Sequence, residues 1–185
     1  MTFMQKLLKQ APVNVSRRGF LSGTGALVLS TTLPVRPSKA QEAEAAAGPA
    51  VPAFLEIHED GTAKLLSPFI EGGQGIYTTF AQVVGEELDL APENFSVEIA
   101  PAGPPYDVMG GFRITGGSMS TRTSYELMRQ LGASARAMFL AAAAQDWGVD
   151  ASELTTEPGM VVHEASGRRA GYGELAAVAM DLPVP

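Results

Sequence analysis

The sequence predicts an α+β fold: a layered domain with short hairpins and two main helices, in the order ββ-αβ-α-ββ-α. Three observations carry that reading. Short apolar runs flank Gly-containing turns across residues 54–67 and 154–170, as hairpin strands do. Ile76, Phe80, Val83, Val84 and Leu88 recur at i, i+4, i+7, i+8 and i+12, the stripe of an amphipathic helix. A long segment from Ser118 to Trp147 is rich in strong helix formers.

In chain order, Phe54–His58 and Ala63–Ser67 enclose Glu59-Asp60-Gly61-Thr62 and form the first hairpin. The amphipathic helix follows, and Pro92 closes it. Phe95-Ser96-Val97-Glu98-Ile99 alternates apolar and polar, as a half-buried strand would. Residues 101–111 hold too much Pro and Gly for a helix or a sheet interior, and read as a loop. The long helix sets Tyr125, Met128, Leu131, Ala135, Met138, Phe139 and Ala142 on neighbouring faces. Its four alanines, Ala141 to Ala144, predict close packing against another element, and Gly148 is a natural stop. A second hairpin is expected over Leu154–Ala170 and a last short helix over Tyr172–Met180. Asp181-Leu182-Pro183-Val184-Pro185 reads as the start of an inter-domain connection, so the chain is expected to be part of a longer protein.

The 185 residues allow one domain and a tail, and at 45% hydrophobic and 18% charged they can bury a core. The chain has no cysteine, which excludes disulfides, thiolate zinc sites and iron–sulfur clusters within it. A net charge of −7 argues against a nucleic-acid binder held by a basic surface. That average hides a split. Lys6, Lys9, Arg17, Arg18, Arg36 and Lys39 give residues 1–40 a charge of +6, with no acid among them. The remainder keeps 7 bases against all 20 acids, a balance of −13.

The basic part has the layout of an export signal. Ser16-Arg17-Arg18-Gly19-Phe20-Leu21 precedes a mildly apolar stretch, Gly23 to Ser30, with small residues at the exit and cleavage expected after Ala40. The paired arginines with Phe and Leu at these offsets resemble the twin-arginine signal, which exports folded proteins. Residues 1–40 are thus read as a signal peptide, 41–52 as a linker and 53–182 as the folded domain. The expected location is periplasmic, or membrane-associated if the signal stays uncleaved. Export after folding suggests a cofactor inserted in the cytoplasm.

Two Gly-rich turns stand out as places for chemistry. Glu71-Gly72-Gly73-Gln74-Gly75 opens the first helix, where glycines let the backbone approach a ligand. The free N–H groups of that helix start favour an anion or a carbonyl-like acceptor, and Gln74 offers both a donor and an acceptor. The G-x-G-x-x-G dinucleotide spacing is missing, and the plainer reading is an ordinary strand-to-helix turn. Thr115-Gly116-Gly117-Ser118-Met119-Ser120-Thr121-Arg122 opens the long helix. Two glycines, four hydroxyls and an arginine at a helix start would suit a phosphate. The plainer reading there is that Ser118 or Ser120 caps the helix. His58 and His163 are the sole histidines and are expected at the surface rather than on a metal. Neither a G-x-S-x-G elbow nor an S-x-x-K pattern occurs, Thr121 standing where the lysine would be. Glu86, Glu87 and Asp89 read as a solvated helix face.

Glu71-Gly72-Gly73-Gln74-Gly75-Ile76-Tyr77-Thr78, followed some forty residues on by Thr115-Gly116-Gly117-Ser118-Met119-Ser120-Thr121-Arg122, resembles the molybdopterin-binding subunit of the xanthine dehydrogenase/aldehyde oxidase family. The likeness is to the isoquinoline 1-oxidoreductase β-subunit type, whose members also tend to begin with a twin-arginine signal. It covers most of Phe54 to Pro185. One small departure is Gly72-Gly73, where the family more often has Glu-Met-Gly.

The resemblance implies a molybdenum–molybdopterin cofactor in its cytosine dinucleotide form. It assigns Gly73, Gln74 and Gly75 to the pterin and its molybdenum end, and Gly116, Gly117, Ser118 and Ser120 to the phosphate or nucleotide part. It further implies oxidation of an N-heterocycle or an aldehyde with water-derived oxygen. Electrons would leave through a partner subunit carrying [2Fe-2S] clusters, with a c-type cytochrome as a candidate acceptor. Family members are several times longer, and their catalytic glutamate lies near the far C-terminus. No residue here matches it, so no catalytic or metal residue is assigned and this portion alone is expected to be inactive. The alternative is an exported, non-catalytic phosphate- or nucleotide-binding module using the same Gly-Ser turn.

Overall fold

A computed structural model of the chain describes residues 27–29, 54–103, 106–109 and 112–185. The arginine pair, the cleavage position after Ala40 and the linker 41–52 lie outside the described residues, as do Pro104, Pro105, Gly110 and Gly111. The strands are β1 (Leu27–Leu29), β2 (Leu55–Ile57), β3 (Ala63–Ser67), β4 (Phe95–Ile99), β5 (Thr155–Glu157), β6 (Met160–His163) and β7 (Arg168–Gly171). The helices are α1 (Ile76–Leu88), α2 (Met119–Trp147) and α3 (Tyr172–Met180). The α+β class is as the sequence predicts, with two further strands.

One of these is β1, which falls inside the apolar stretch read as a signal. It pairs antiparallel with β2, Leu27 opposite Ile57 and Leu29 opposite Leu55. The other arises because residues 154–171 form a three-stranded meander, β5-β6-β7, rather than a single hairpin. Pro158-Gly159 makes a turn inside a run that otherwise reads as one strand, so the segment folds back twice.

The first sheet has the order β1-β2-β3-β4. The β2–β3 hairpin is antiparallel, Leu55 opposite Leu65, while β4 pairs parallel with β3 from Ala63–Phe95 to Ser67–Ile99. A parallel pair cannot be joined by a tight turn, and α1 is the crossover that carries the chain back. Its stripe does the expected work: Ile76, Phe80, Val84 and Leu88 are buried. The helix ends ahead of Pro92, at Asp89, whose positive φ of 60° turns the chain while its N–H caps Gly85. Pro92 instead opens a short 3-10 turn that feeds β4.

Helix α2 buries Leu127, Met128, Leu131, Ala135, Met138, Phe139, Ala142 and Ala143. Tyr125, read as part of that face, is 49% exposed. It sits one position off the stripe, beside Arg129, which binds Glu87 of α1 at 2.6 Å. Glu87 therefore links the helices instead of merely facing solvent. Tyr172, at the start of α3, is fully buried, stacks on Phe139 at 4.3 Å and donates its hydroxyl to the Leu88 carbonyl at 2.7 Å. That bond satisfies a carbonyl at the end of α1, where intrahelical partners run out.

The contact between α1 and α2 depends on Gly132. A Cβ built there would lie 2.4 Å from the Val84 carbonyl oxygen and 3.0 Å from Glu87 Cβ. The backbone carbonyl cannot step aside, so a side chain at 132 must push the helices apart. Gly132→Ala should therefore destabilise the domain by about 1–3 kcal/mol, as overpacked cores do. Urea unfolding followed by circular dichroism measures the loss, with the native helical signal retained in the absence of urea.

Candidate functional site

The candidate site lies where β3 and β4 both end. In α/β layers this is the edge where ligands usually bind, because the connecting loops converge there. Ser67, the last residue of β3, is fully buried; its hydroxyl donates to the Phe69 carbonyl at 2.8 Å and accepts the Phe69 N–H at 3.1 Å. Phe69 is buried against Phe80, ring centroids 6.1 Å apart, so the chain leaves the strand on a fixed path. Just past the end of β4, the Ala100 N–H bonds the Ser67 carbonyl at 2.7 Å. Arg113 Nη1 donates to the Ala100 carbonyl at 3.0 Å and draws residues 112–115 to the same edge.

Ile70 joins the two Gly-rich turns. Its N–H donates to Thr115 Oγ1 at 2.9 Å, and its carbonyl accepts from Gln74 Nε2 at 2.7 Å. One peptide segment thus bonds to a side chain from each motif, across 45 residues of sequence. Around the joint, Ile70, Phe112 and Ile114 are each more than half exposed, an apolar rim of the kind that marks contact surfaces.

The first turn is shaped by a residue that the sequence reading quoted but did not use. The Glu71 carboxylate accepts three backbone N–H groups: Gly73 at 2.7 Å and Gly75 at 3.0 Å on Oε1, and Tyr77 at 3.1 Å on Oε2. Those bonds, from Gly75 first and then Tyr77, hold its carboxyl below the usual carboxylate range. The N–H groups expected to be free at this helix start are in part engaged, since Glu71 takes those of Gly75 and Tyr77. Gln74 is also engaged within the turn. Its Oε1 accepts the Gly72 N–H at 2.7 Å while Nε2 holds Ile70, so both ends of the amide serve the turn itself. The glycine backbone of the turn is open to a ligand. Gly73 and Gly75 have φ of 94° and 81°, which side-chain-bearing residues rarely adopt, and nothing lies within 4 Å of where their Cβ atoms would stand.

The second turn is built differently. Gly117 and Ser118 both adopt positive φ, 58° and 55°, and the Met119 N–H bonds the Gly116 carbonyl at 3.1 Å. Ser118 occupies the N-cap position of α2 yet makes no side-chain cap bond, so capping does not account for its hydroxyl. Gly116, Gly117 and Ser118 are exposed, Ser120 is half-buried in the first helical turn, and Arg122 is exposed. The space over Gly116 is open.

The histidines are not grouped. His163 is buried rather than at the surface, with Nδ1 2.8 Å from Ser166 Oγ and Nε2 3.6 Å from a Glu153 carboxylate oxygen. Among the described residues, no group of three or more His, Cys, Asp or Glu is placed to hold a metal ion. No described helix is long and apolar enough to cross a membrane.

Residues 8–184 match the molybdopterin cofactor-binding domain. The chain belongs to that family. It is 34% identical over 187 residues to the isoquinoline 1-oxidoreductase subunit beta of Brevundimonas diminuta, covering 94% of this chain and 23% of that protein. It is 25% identical over 179 residues to a protein of Gluconacetobacter polyoxogenes named as a membrane-bound aldehyde dehydrogenase (pyrroloquinoline-quinone), covering 91% of this chain and 22% of that one. The chain thus spans under a quarter of the length of these relatives. Its fold is similar to that of a Cu,Mo-CO dehydrogenase, with a TM-score of 0.53, 24% identity, and coverage of 66% of this chain and 15% of the other. It is also similar to quinoline 2-oxidoreductase from Pseudomonas putida 86, with a TM-score of 0.50, 15% identity and the same coverage of 66% and 15%.

The joint at Ile70 has a direct test. Thr115→Val removes the acceptor while keeping the shape, and the exposed N–H can turn to water. Stability should fall by less than about 1 kcal/mol, while hydrogen exchange at the Ile70 amide speeds up.

Proposed function

We propose that this chain is the N-terminal cofactor-binding part of an exported molybdenum hydroxylase. The observation that carries the reading is the joining of the two Gly-rich turns through Ile70 at the carboxyl edge of β3 and β4. The turns leave room for a ligand that carries negative charge. Open space stands over Gly73, Gly75 and Gly116, and the Ser118 hydroxyl is not spent on capping. In this reading Gly73, Gln74 and Gly75 receive the pterin end. Gly116, Gly117, Ser118 and Ser120 receive the phosphate or nucleotide end, where a helix N-terminus favours negative charge.

When bound, a molybdenum–molybdopterin cofactor supplies the two-electron chemistry, and this chain's residues bind and orient it. The cytosine dinucleotide form is part of the proposal, as is oxidation of an N-heterocycle or an aldehyde with oxygen taken from water. The name of the Brevundimonas relative supports the heterocycle class, and the Gluconacetobacter name supports the aldehyde class. These 185 residues hold no cysteine, so the two electrons need a carrier outside them. A small [2Fe-2S] subunit fills that role here, with a c-type cytochrome beyond it. Export by the twin-arginine route completes the reading. N-terminal sequencing of the exported protein tests it, a start at Gln41 marking cleavage, which would remove β1 and leave β2 at the sheet edge. Recovery only from the cytoplasm would contradict export.

The cofactor assignment is tested on the full-length subunit, co-expressed with its neighbouring small subunit and purified. Elemental analysis should find molybdenum, fluorescence of the acid-oxidised extract should find pterin, and hydrolysis should release cytidine monophosphate. Purified protein without molybdenum or pterin, or carrying a quinone cofactor in their place, would overturn the assignment.

A further inference from the structure

We propose that Glu71 is a positioning residue. Its carboxylate fills the anion-accepting end of α1 and fixes the Gly72–Gly75 turn in its receptive shape, leaving the second turn to take the ligand's phosphate. The inference rests on the cofactor reading above, which already says which end meets which turn, and adds the residue that shapes the first turn to receive its end.

The argument begins with the helix start. An α-helix leaves its first N–H groups without intrahelical partners, and the aligned peptide dipoles make that end attractive to an anion. Both motifs stand ahead of helices of ample length, 13 residues for α1 and 29 for α2, so both could in principle take a phosphate. The structure separates them. At α1 the Gly75 and Tyr77 N–H groups, together with Gly73 ahead of them, point at Glu71 from 2.7 to 3.1 Å. A second anion there would face a carboxylate already seated. At α2 the first helical turn contains no acid, and Ser118 makes no side-chain cap bond.

The same carboxylate fixes the turn's shape. Gly73 and Gly75 are held at positive φ by bonds to one oxygen, Oε1, while Oε2 ties the turn to the first residues of the helix. Gln74 closes the other side, to Gly72 and Ile70. The turn is thereby set before any ligand arrives, and pre-set geometry reduces the ordering cost of binding. Glutamine at 71 could still accept from Gly73 and Gly75 through its oxygen, but its amide nitrogen cannot accept from Tyr77. Alanine loses all three bonds.

The carboxyl's lowered proton affinity sets the direction of pH dependence. Only backbone N–H groups lower it, those of Gly75 and Tyr77 first and then Gly73 and Ile76. The clamp's stabilisation is fully present above the ordinary glutamate range and is lost as pH falls through the depressed folded value.

The test uses the full-length subunit as wild type, Glu71→Gln and Glu71→Ala, with hydrogen exchange by mass spectrometry on residues 70–78 and pterin content as separate readouts. In cofactor-free protein, exchange in this segment should rise at least about fivefold in Glu71→Ala, and less in Glu71→Gln. Wild type should keep its protection, corrected for intrinsic rates, below the ordinary glutamate range, and Glu71→Gln should show no such titration. Inorganic phosphate should restore protection in Glu71→Ala alone. Pterin content should fall at least about twofold in Glu71→Ala, with Glu71→Gln in between. Unchanged exchange in Glu71→Ala, phosphate protection of residues 70–78 in wild type, or faster exchange with undiminished pterin content would each overturn the positioning role. Wild-type subunit devoid of pterin would instead overturn the cofactor reading on which it rests.

Discussion

The parallel pairing of β3 with β4 is the constraint on which the rest of the site depends. Because Ser67 stands opposite Ile99, the chain leaves both strands at one edge. An antiparallel pairing would send the two exits to opposite ends and separate the motifs by the length of a strand. The pairing requires a crossover, and α1 supplies it, running from the first Gly-rich turn back to the start of β4. Gly132 then lets α2 approach α1 at backbone distance. The hydrogen bond from Ile70 to Thr115 follows from this arrangement, since the sheet delivers both segments to the same place.

The two turns share glycines and a helix behind them, yet they differ electrostatically. The first carries its own anion in Glu71, with three backbone donors already engaged. The second carries a seryl hydroxyl in a left-handed conformation, which is an unfavourable place for a residue with a side chain. Such local strain persists only where the surroundings enforce it, and it is found often at binding sites. The joint at Ile70 couples these unlike halves into one surface.

Much of this was legible from residue patterns because short-range physics governs it. The apolar stripe from Ile76 to Leu88, the Gly148 stop and the last helix over Tyr172–Met180 stand in the structure as the sequence predicts. The β5–β6–β7 meander was less legible, since one Pro-Gly turn hides inside an apparently single hairpin. At the site, the sequence placed both turns but did not show the bonds that their side chains make within them. Gln74 looks like a ligand group because an amide offers a donor and an acceptor, but its nearest partners are its own backbone neighbours. Glu71 was visible only as an acid five residues ahead of the helix, too far to read as a cap. Nothing local could show that it reaches six residues on to Tyr77, or that Ile70 would meet Thr115. Those contacts are set by the tertiary fold.

The central claim is that the two turns act as one receptor for one elongated ligand. Hydrogen exchange of the full-length subunit, compared with and without its cofactor, measures this most directly. The account predicts that residues 70–78 and 115–122 gain protection together when the cofactor is bound. Protection of one turn alone, or of neither, would contradict it.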